Sequence, residues 1–325
     1  MKICIYGAGA VGGFIGTHLA RAGCEVSAVD LGPTLAALRS QGLRLETNGE
    51  LVRVAVTATD DPAMLGVQDL IVIAVKSPSL VHVARRIAPL IGPDTIVLTA
   101  MNGVPWWFFQ GFGGEFAEMK LDSVDPTGEI ADAIPSRLIV GCVVHGSFSL
   151  VEPGFVRHGF GKRLIIGEPD GSDSKRVHAL AALLSKAGLD MVVSSTIQAE
   201  IWFKLWGNMT MNPVSAITGA TCDRILDDPL VNRFCLDVMA EAARIGAGIN
   251  CPIAQSGEAR NAVTRELGAF KTSMLQDVEA GKAVELDALV SVVREIGQKI
   301  GEPTPQIDTL LGLARLHARV RGLYP

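Results

Sequence analysis

With 325 residues, 48% of them hydrophobic and 19% charged, the chain has enough material for two domains, each with its own core. The formal net charge of -5 comes without any acidic or basic block, which speaks against nucleic acid or an anionic membrane surface as partner and for a small-molecule ligand. No apolar run approaches the roughly 18 residues of a spanning helix, and the six cysteines contain no C-x-x-C pair, so neither a membrane span nor a metal framework is visible and reduced thiols in the cytoplasm are expected.

The opening stretch, KICIYGAGAVGGFIGTHLARAGCEVSAVD, reads as a complete β-α-β unit. Lys2 to Tyr6 is a short apolar strand, Val11 to Ala22 is helical in pattern, Gly23 closes that helix, and EVSAV is a second strand. The glycines interrupt any signal-peptide core, so the segment is expected to be mature structure. Between strand and helix, Gly7, Ala8, Gly9, Ala10, Val11 and Gly12 form G-x-G-x-x-G. The first glycine permits a tight turn, the second lets backbone approach a pyrophosphate, and the third lets helix and strand pack closely. Glycine turns are common, but one that follows a strand and opens a helix predicts dinucleotide binding. Asp30 ends the second strand, where a carboxylate can accept hydrogen bonds from the adenosine ribose hydroxyls. No arginine or lysine stands between Asp30 and Arg39 to neutralise a 2′-phosphate, so the cofactor is NAD(H) or NADP(H) with NAD preferred.

Alternation continues downstream. A helix is predicted around Thr34 to Gln41, LRLET and LVRVAVTAT pair as a ribbon, a short helix follows near Pro62, LIVIAVK is a strand, Leu80 to Ile91 is a helix, and TIVLTAMNG ends a strand. Strand and helix in turn imply a doubly wound sheet with ligands at the carboxyl ends of the strands. Lys76 and Asn102 occupy two such ends and could face a nicotinamide, or could simply cap their strands. LIVGCVVHGSFSL and PGFVRHGFGKRLIIGE look antiparallel, joined near Gly159 to Lys162, and extend the sheet. His158 in this ribbon has no patterned acid or nucleophile, which favours a structural role. The WWFF-containing segment from Trp106 to Pro135 could be a lid or an oligomer contact. Val177 to Ala187 is a helix and MVV a last strand, which puts the domain boundary near Ser195.

Beyond it nearly everything is helical in pattern. Ser195 and Gln198 have the spacing of a capping box for a helix that runs toward Pro213, which disfavours helical geometry at Asn212. Within EIWFKLWGNMTMNP, Glu200, Lys204, Asn208 and Asn212 recur every four residues and form a slowly turning polar stripe on an otherwise apolar helix. Burying an ammonium and two amides without partners would cost several kcal/mol, so the stripe is expected to face an active-site cleft. A structural pair between Lys204 and Glu200 is the bland alternative. Reduction of a ketone needs a proton on the developing alkoxide, and a partly desolvated Lys204 can supply it. Farther on, Ser273 and Asp277 lie one turn apart and Glu285 follows Gly281, although spacing alone would not select these residues.

Taken together, GAGAVGG, Lys76 after its strand, the N-G at 102 to 103, PGFVRH with IGE, the K-x-x-x-N-x-x-x-N helix, and SMLQD with E-L-D at 285 to 287 resemble the ketopantoate reductase (2-dehydropantoate 2-reductase) family over nearly the full length. That resemblance implies an α/β fold, an N-terminal Rossmann-type dinucleotide-binding domain over 1–195 plus a C-terminal all-helical domain over 196–325. It also implies reduction of 2-dehydropantoate to pantoate by NADPH in a cytoplasmic homodimer. Lys204 would be the general acid and Glu285 its orienting partner. Asn208 and Asn212 would hold the substrate hydroxyl, Ser273 its carboxylate, and Asn102 and Lys76 would contact nicotinamide, ribose or substrate. Three positions depart from the family pattern: Asp30 with Leu31 where an arginine often follows strand two, Phe270 where some members have asparagine, and Val290 with Ser291 where an N-G pair often stands. These changes keep open an NAD-dependent D-2-hydroxyacid dehydrogenase for branched or aromatic 2-keto acids. A dinucleotide-binding sensor without catalysis is the third reading, and it would not require Lys204 and Glu285 together.

Overall fold

Apolar runs bounded by glycine and proline turns become the strands of one ten-stranded sheet in the computed structural model, which describes residues 1–325. The strands are β1 (Lys2–Tyr6), β2 (Glu25–Val29), β3 (Leu43–Thr47), β4 (Glu50–Val54), β5 (Thr57–Thr59), β6 (Leu70–Ile73), β7 (Ile96–Thr99), β8 (Ile139–Glu152), β9 (Phe155–Gly167) and β10 (Asp190–Val193). Their order is β4-β3-β9-β8-β7-β6-β1-β2-β5, with β10 also paired to β9. The central pairs are parallel, as connections through α1 (Ala10–Arg21), α2 (Gly32–Gln41), α3 (Leu80–Ala84) and α4 (Glu129–Ala133) require. Near the chain start, α1 lays Phe14, Ile15 and Leu19 on the sheet, all fully buried among Ile3, Ile5, Leu43 and Leu98. The strand-and-helix unit comprises Met1–Met101, Gln110–Phe112 and Thr127–Ile197, and includes α5 (Lys175–Lys186).

Three details differ from the sequence expectation. The ribbon is split: β3 and β4 pair antiparallel around Asn48 and Gly49, both at positive φ, whereas Thr57–Thr59 leaves to pair in parallel with β2. The helix expected over Leu80 to Ile91 stops at Ala84, and a separate tight turn, Ala88–Leu90, contains Pro89, whose missing N–H and bulky ring end the regular helix. β8 and β9 turn at Pro153 and Gly154 (φ 70°), not at Gly159 to Lys162, which lie inside β9 opposite register irregularities in β8.

A second unit holds Asn102–Phe109, Gly113–Pro126 and Gln198–Pro325. Apart from tight turns its regular structure is helical: α6 (Ile197–Thr218), α7 (Cys222–Asp227), α8 (Pro229–Gly248), α9 (Gly257–Arg265), α10 (Ser273–Glu279), α11 (Val292–Ile300) and α12 (Pro305–Val320), with a π-helical turn at Asp287–Ser291. Trp202 and Trp206 of α6 donate their indole N–H groups to Ala242 O (3.2 Å) and Met239 O (2.7 Å), pinning α6 to α8. A Cβ at Gly246 would lie 2.3 Å from the Trp202 indole nitrogen, so the helix pair depends on that glycine. Glu241, 4% exposed, accepts from Gln306 N and Ile307 N and thereby caps α12. The four WWFF side chains are interior: Trp106, Trp107, Phe108 and Phe109 are buried, and Phe108 lies 6.2 Å from the Trp202 ring.

Contrary to expectation, α6 runs straight through Pro213 and keeps Asn212 helical. An interior proline costs about 3 kcal/mol. Met209, Met211 and Val214 are buried beside it, and at about 1.5–3 kcal/mol for each such side chain their packing outweighs the cost. No helix is long and apolar enough to cross a membrane.

Candidate functional site

In the sheet-bearing unit the glycine turn joins β1 to α1. Gly7 adopts φ 91°, a region open to glycine, and a Cβ at Gly12 would stand 2.0 Å from the Gly7 carbonyl oxygen. A Cβ at Gly9 would meet nothing within 4 Å, so backbone is bare where a ligand can approach. No side chain caps the N-terminus of α1 and no acid occupies its first turn, which leaves N–H groups of the Ala10 and Val11 turn for an anion. Asp30 stands at this turn: its Oδ2 accepts from Ala8 N (2.7 Å) and its Oδ1 from Leu31 N (2.8 Å). Burial raises its pKa, against the pull of those two amides. Each carboxylate oxygen still has a lone pair for a sugar hydroxyl. Lys76 comes three residues after β6, and Val75 and Ala74 just before it line the space beside Gly7.

In the helical unit the polar stripe of α6 is reproduced residue for residue. Lys204 and Asn208 are half-buried and Asn212 is 5% exposed. Lys204 Nζ donates to Asn102 Oδ1 at 2.8 Å, joining the helix to the Asn-Gly turn after β7. That turn is held in place next door: Gly103 has φ 84°, Val104 N donates to Ala288 O (2.9 Å), and a Cβ at Gly103 would lie 2.3 Å from the same oxygen. Ala288 belongs to the π-helical turn that begins two residues after the half-buried Glu285. Asn102, Lys204 and the segment carrying Glu285 are thus built into one framework. Ser273 is exposed on the first turn of α10, where Thr272 is the cap, and Asp277 is half-buried one turn on. His158 has both ring nitrogens engaged, with Thr47 Oγ1 at 3.0 Å and Gly161 O at 2.8 Å, and serves the sheet. No group of three or more His, Cys, Asp or Glu residues is placed to hold a metal ion.

Residues 3–107 match the profile of the family described as ketopantoate reductase PanE/ApbA, and residues 196–318 match its C-terminal profile. The chain belongs to the ketopantoate reductase family. It is 44% identical to the 2-dehydropantoate 2-reductase of Mesorhizobium japonicum, with 100% of both chains covered. It is 61% identical to a candidate ketopantoate reductase from Ralstonia solanacearum MolK2, whose crystal structure superposes with a TM-score of 0.96 over 99% of both chains. D-mandelate dehydrogenase, solved with NADH and anilino(oxo)acetate, shares the fold at 24% identity and a TM-score of 0.84, covering 99% of this chain and 100% of that one. As a ketopantoate reductase family member the chain is an oxidoreductase acting on CH–OH groups. The open backbone at Gly9, the uncapped start of α1 and the carboxylate of Asp30 fit the nicotinamide dinucleotide that such a reductase uses.

One group in this chain was not singled out from the sequence. Arg260, on α9, lies over the Phe203 ring at 5.9 Å and against Gly207, where a Cβ would come within 2.9 Å of its Nη2. The signal available was Gly207 itself: a glycine inside a helix costs about 1 kcal/mol relative to alanine and marks a close approach.

Proposed function

We propose that the protein reduces a 2-keto acid, 2-dehydropantoate, to the 2-hydroxy acid pantoate. The observation that carries this reading is the 2.8 Å bond from Lys204 Nζ to Asn102 Oδ1, which holds a half-buried ammonium in a fixed direction on an otherwise apolar helix. Bound reduced nicotinamide supplies the hydride for the keto carbon. Lys204 donates the proton to the keto oxygen as charge develops there, and its own positive charge stabilises the oxyanion before transfer. Asn102 fixes the direction of the ammonium, and Glu285 is its anionic counterpart. Asn208 and Asn212 bind the substrate hydroxyl and Ser273 the carboxylate. Gly7, Ala8, Gly9, Ala10, Val11 and Gly12 cradle the pyrophosphate, Asp30 the adenosine ribose, and Lys76 and Asn102 the nicotinamide side. In this reading 1–195 is the cofactor domain and 196–325 the substrate domain of a cytoplasmic homodimer. The 44% identical relative supports the substrate, and Asp30 supports a preference for NADH.

Asp30 and the half-buried, apolar Phe270 favour one second reading, an NAD-dependent D-2-hydroxyacid dehydrogenase for branched or aromatic keto acids. A panel of 2-keto acids assayed with NADH and with NADPH tests both. The expected result is highest kcat/KM with 2-dehydropantoate; turnover of other keto acids with none of 2-dehydropantoate would select the second reading. Lys204→Ala should lower kcat by about 10²–10⁴-fold. Unchanged turnover in that variant would remove Lys204 as the acid, and a protein that binds NADH yet turns over no keto acid would be a sensor.

A further inference from the structure

Arg260 is a cation without a counter-ion. No carboxylate lies within ion-pair distance, its one polar contact with a side chain is Nη1 to Thr264 Oγ1 at 3.3 Å, and its buried Nε has no hydrogen-bond partner. Asp227 pairs with Arg265, the other arginine of α9, and not with Arg260. Burial lowers the pKa of Arg260, so desolvation is uncompensated. A guanidinium held this way is costly unless something anionic completes it. Two residues of α6 hold it: the Phe203 ring beneath and the bare backbone of Gly207 beside it.

Those two residues fix its place relative to the polar stripe. At about 100° per residue, Gly207 is turned by about 60° from Lys204 on one flank, and Asn208 by about 40° on the other. Residues three apart are surface neighbours on a helix, with Cβ atoms about 5–6 Å apart. The guanidinium resting on Gly207 therefore runs alongside Lys204 on the flank opposite the asparagines. A 2-keto acid carries its carboxylate on the carbon next to the keto group, so a second cationic donor beside the one that serves the keto oxygen suits it.

We propose that Arg260 is a specificity-determining residue that binds the carboxylate of the 2-keto acid while Lys204 serves the keto oxygen. The inference rests on the 2-keto acid reductase reading above and adds to Ser273 a planar, two-pronged donor that matches a carboxylate. Gly207 is then a positioning residue, since any side chain there displaces the guanidinium.

Steady-state kinetics of the full-length protein with NADH test this, using the keto acid with the highest kcat/KM in wild type and its neutral methyl ester. Arg260→Ala should raise KM for the acid by about 100-fold with kcat changed less than about fivefold, leave KM for NADH unchanged, and remove most of the acid-over-ester preference. Arg260→Lys, which keeps the charge but loses the fork, should fall between the two, and Gly207→Ala should raise KM for the acid by about 10-fold. Added guanidinium should partly restore Arg260→Ala. An equal loss for acid and ester, or a loss confined to kcat, overturns the assignment and leaves Arg260 a packing residue. Wild type that reduces keto acids while Arg260→Lys and Arg260→Ala keep its KM refutes this inference alone; wild type that reduces none refutes the reading beneath it.

Discussion

At the scale of single residues, the cofactor choice comes down to one carboxylate. Asp30 accepts from Ala8 N and Leu31 N, and an added 2′-phosphate would bring a second negative charge against an acid already short of solvation. Asp30→Arg combined with Leu31→Ser should lower the NADH to NADPH ratio of kcat/KM by about 100-fold, measured under saturating keto acid. A ratio that stays put would show that selectivity lies elsewhere on the turn. Asp30, Lys204 and the two asparagines could be read from the sequence because their signals are local: an acid at a strand end and amides at helical spacing. Arg260 could not, because its meaning depends on what it lacks. Its neighbours four positions away, the capping Ser256 and Thr264 of α9, are not acids, but only the fold shows that no distant acid comes to it.

Among elements, α11 shows how a helix is tied to a loop. Glu295 Oε1 accepts from Asp122 N (2.7 Å) and Oε2 from Ser123 N (2.8 Å), while Lys299 one turn on pairs with it at 2.7 Å. Burial pushes the Glu295 pKa up, but Lys299 and the two loop amides outweigh it and the net shift is downward. A depressed carboxylate contributes stability that is present above its unfolded pKa and lost as pH falls through its folded value. Glu295→Gln should therefore cost about 1–2 kcal/mol at pH 7, read from urea midpoints, and the gap to wild type should close toward about pH 3. An equal gap at both pH values would mean that packing, not charge, makes the contact. Prolines show why element boundaries were only partly legible. Pro89 lies on an exposed segment and ends its helix, whereas Pro213 sits among buried side chains and does not. The local rule is the same, and burial decides which side wins.

For the molecule as a whole, alternation of apolar strands with helices made the class of the sheet readable, yet not its order. β9 pairs with β3 through Phe155–Arg157 and with β10 through its later residues, matching Leu45 to Val156 across more than a hundred positions that no short window spans. Cysteine placement is a global result of the same packing. None of the six cysteines forms a disulfide, five are buried, and burial raises Cys4, Cys235 and Cys251 to about 12. A thiol reagent should titrate about one group, Cys24, in the native protein and all six in guanidinium; two or more fast-reacting groups without denaturant would contradict the burial pattern. A last consequence concerns recombination between related genes. Because Gly103 has no room for a side chain beneath Ala288, the Asn-Gly turn and the π-helical turn form a lock and its matching key. Breakpoints that inherit the two from different parents would mismatch them, so shuffled libraries should carry both as a single inherited block.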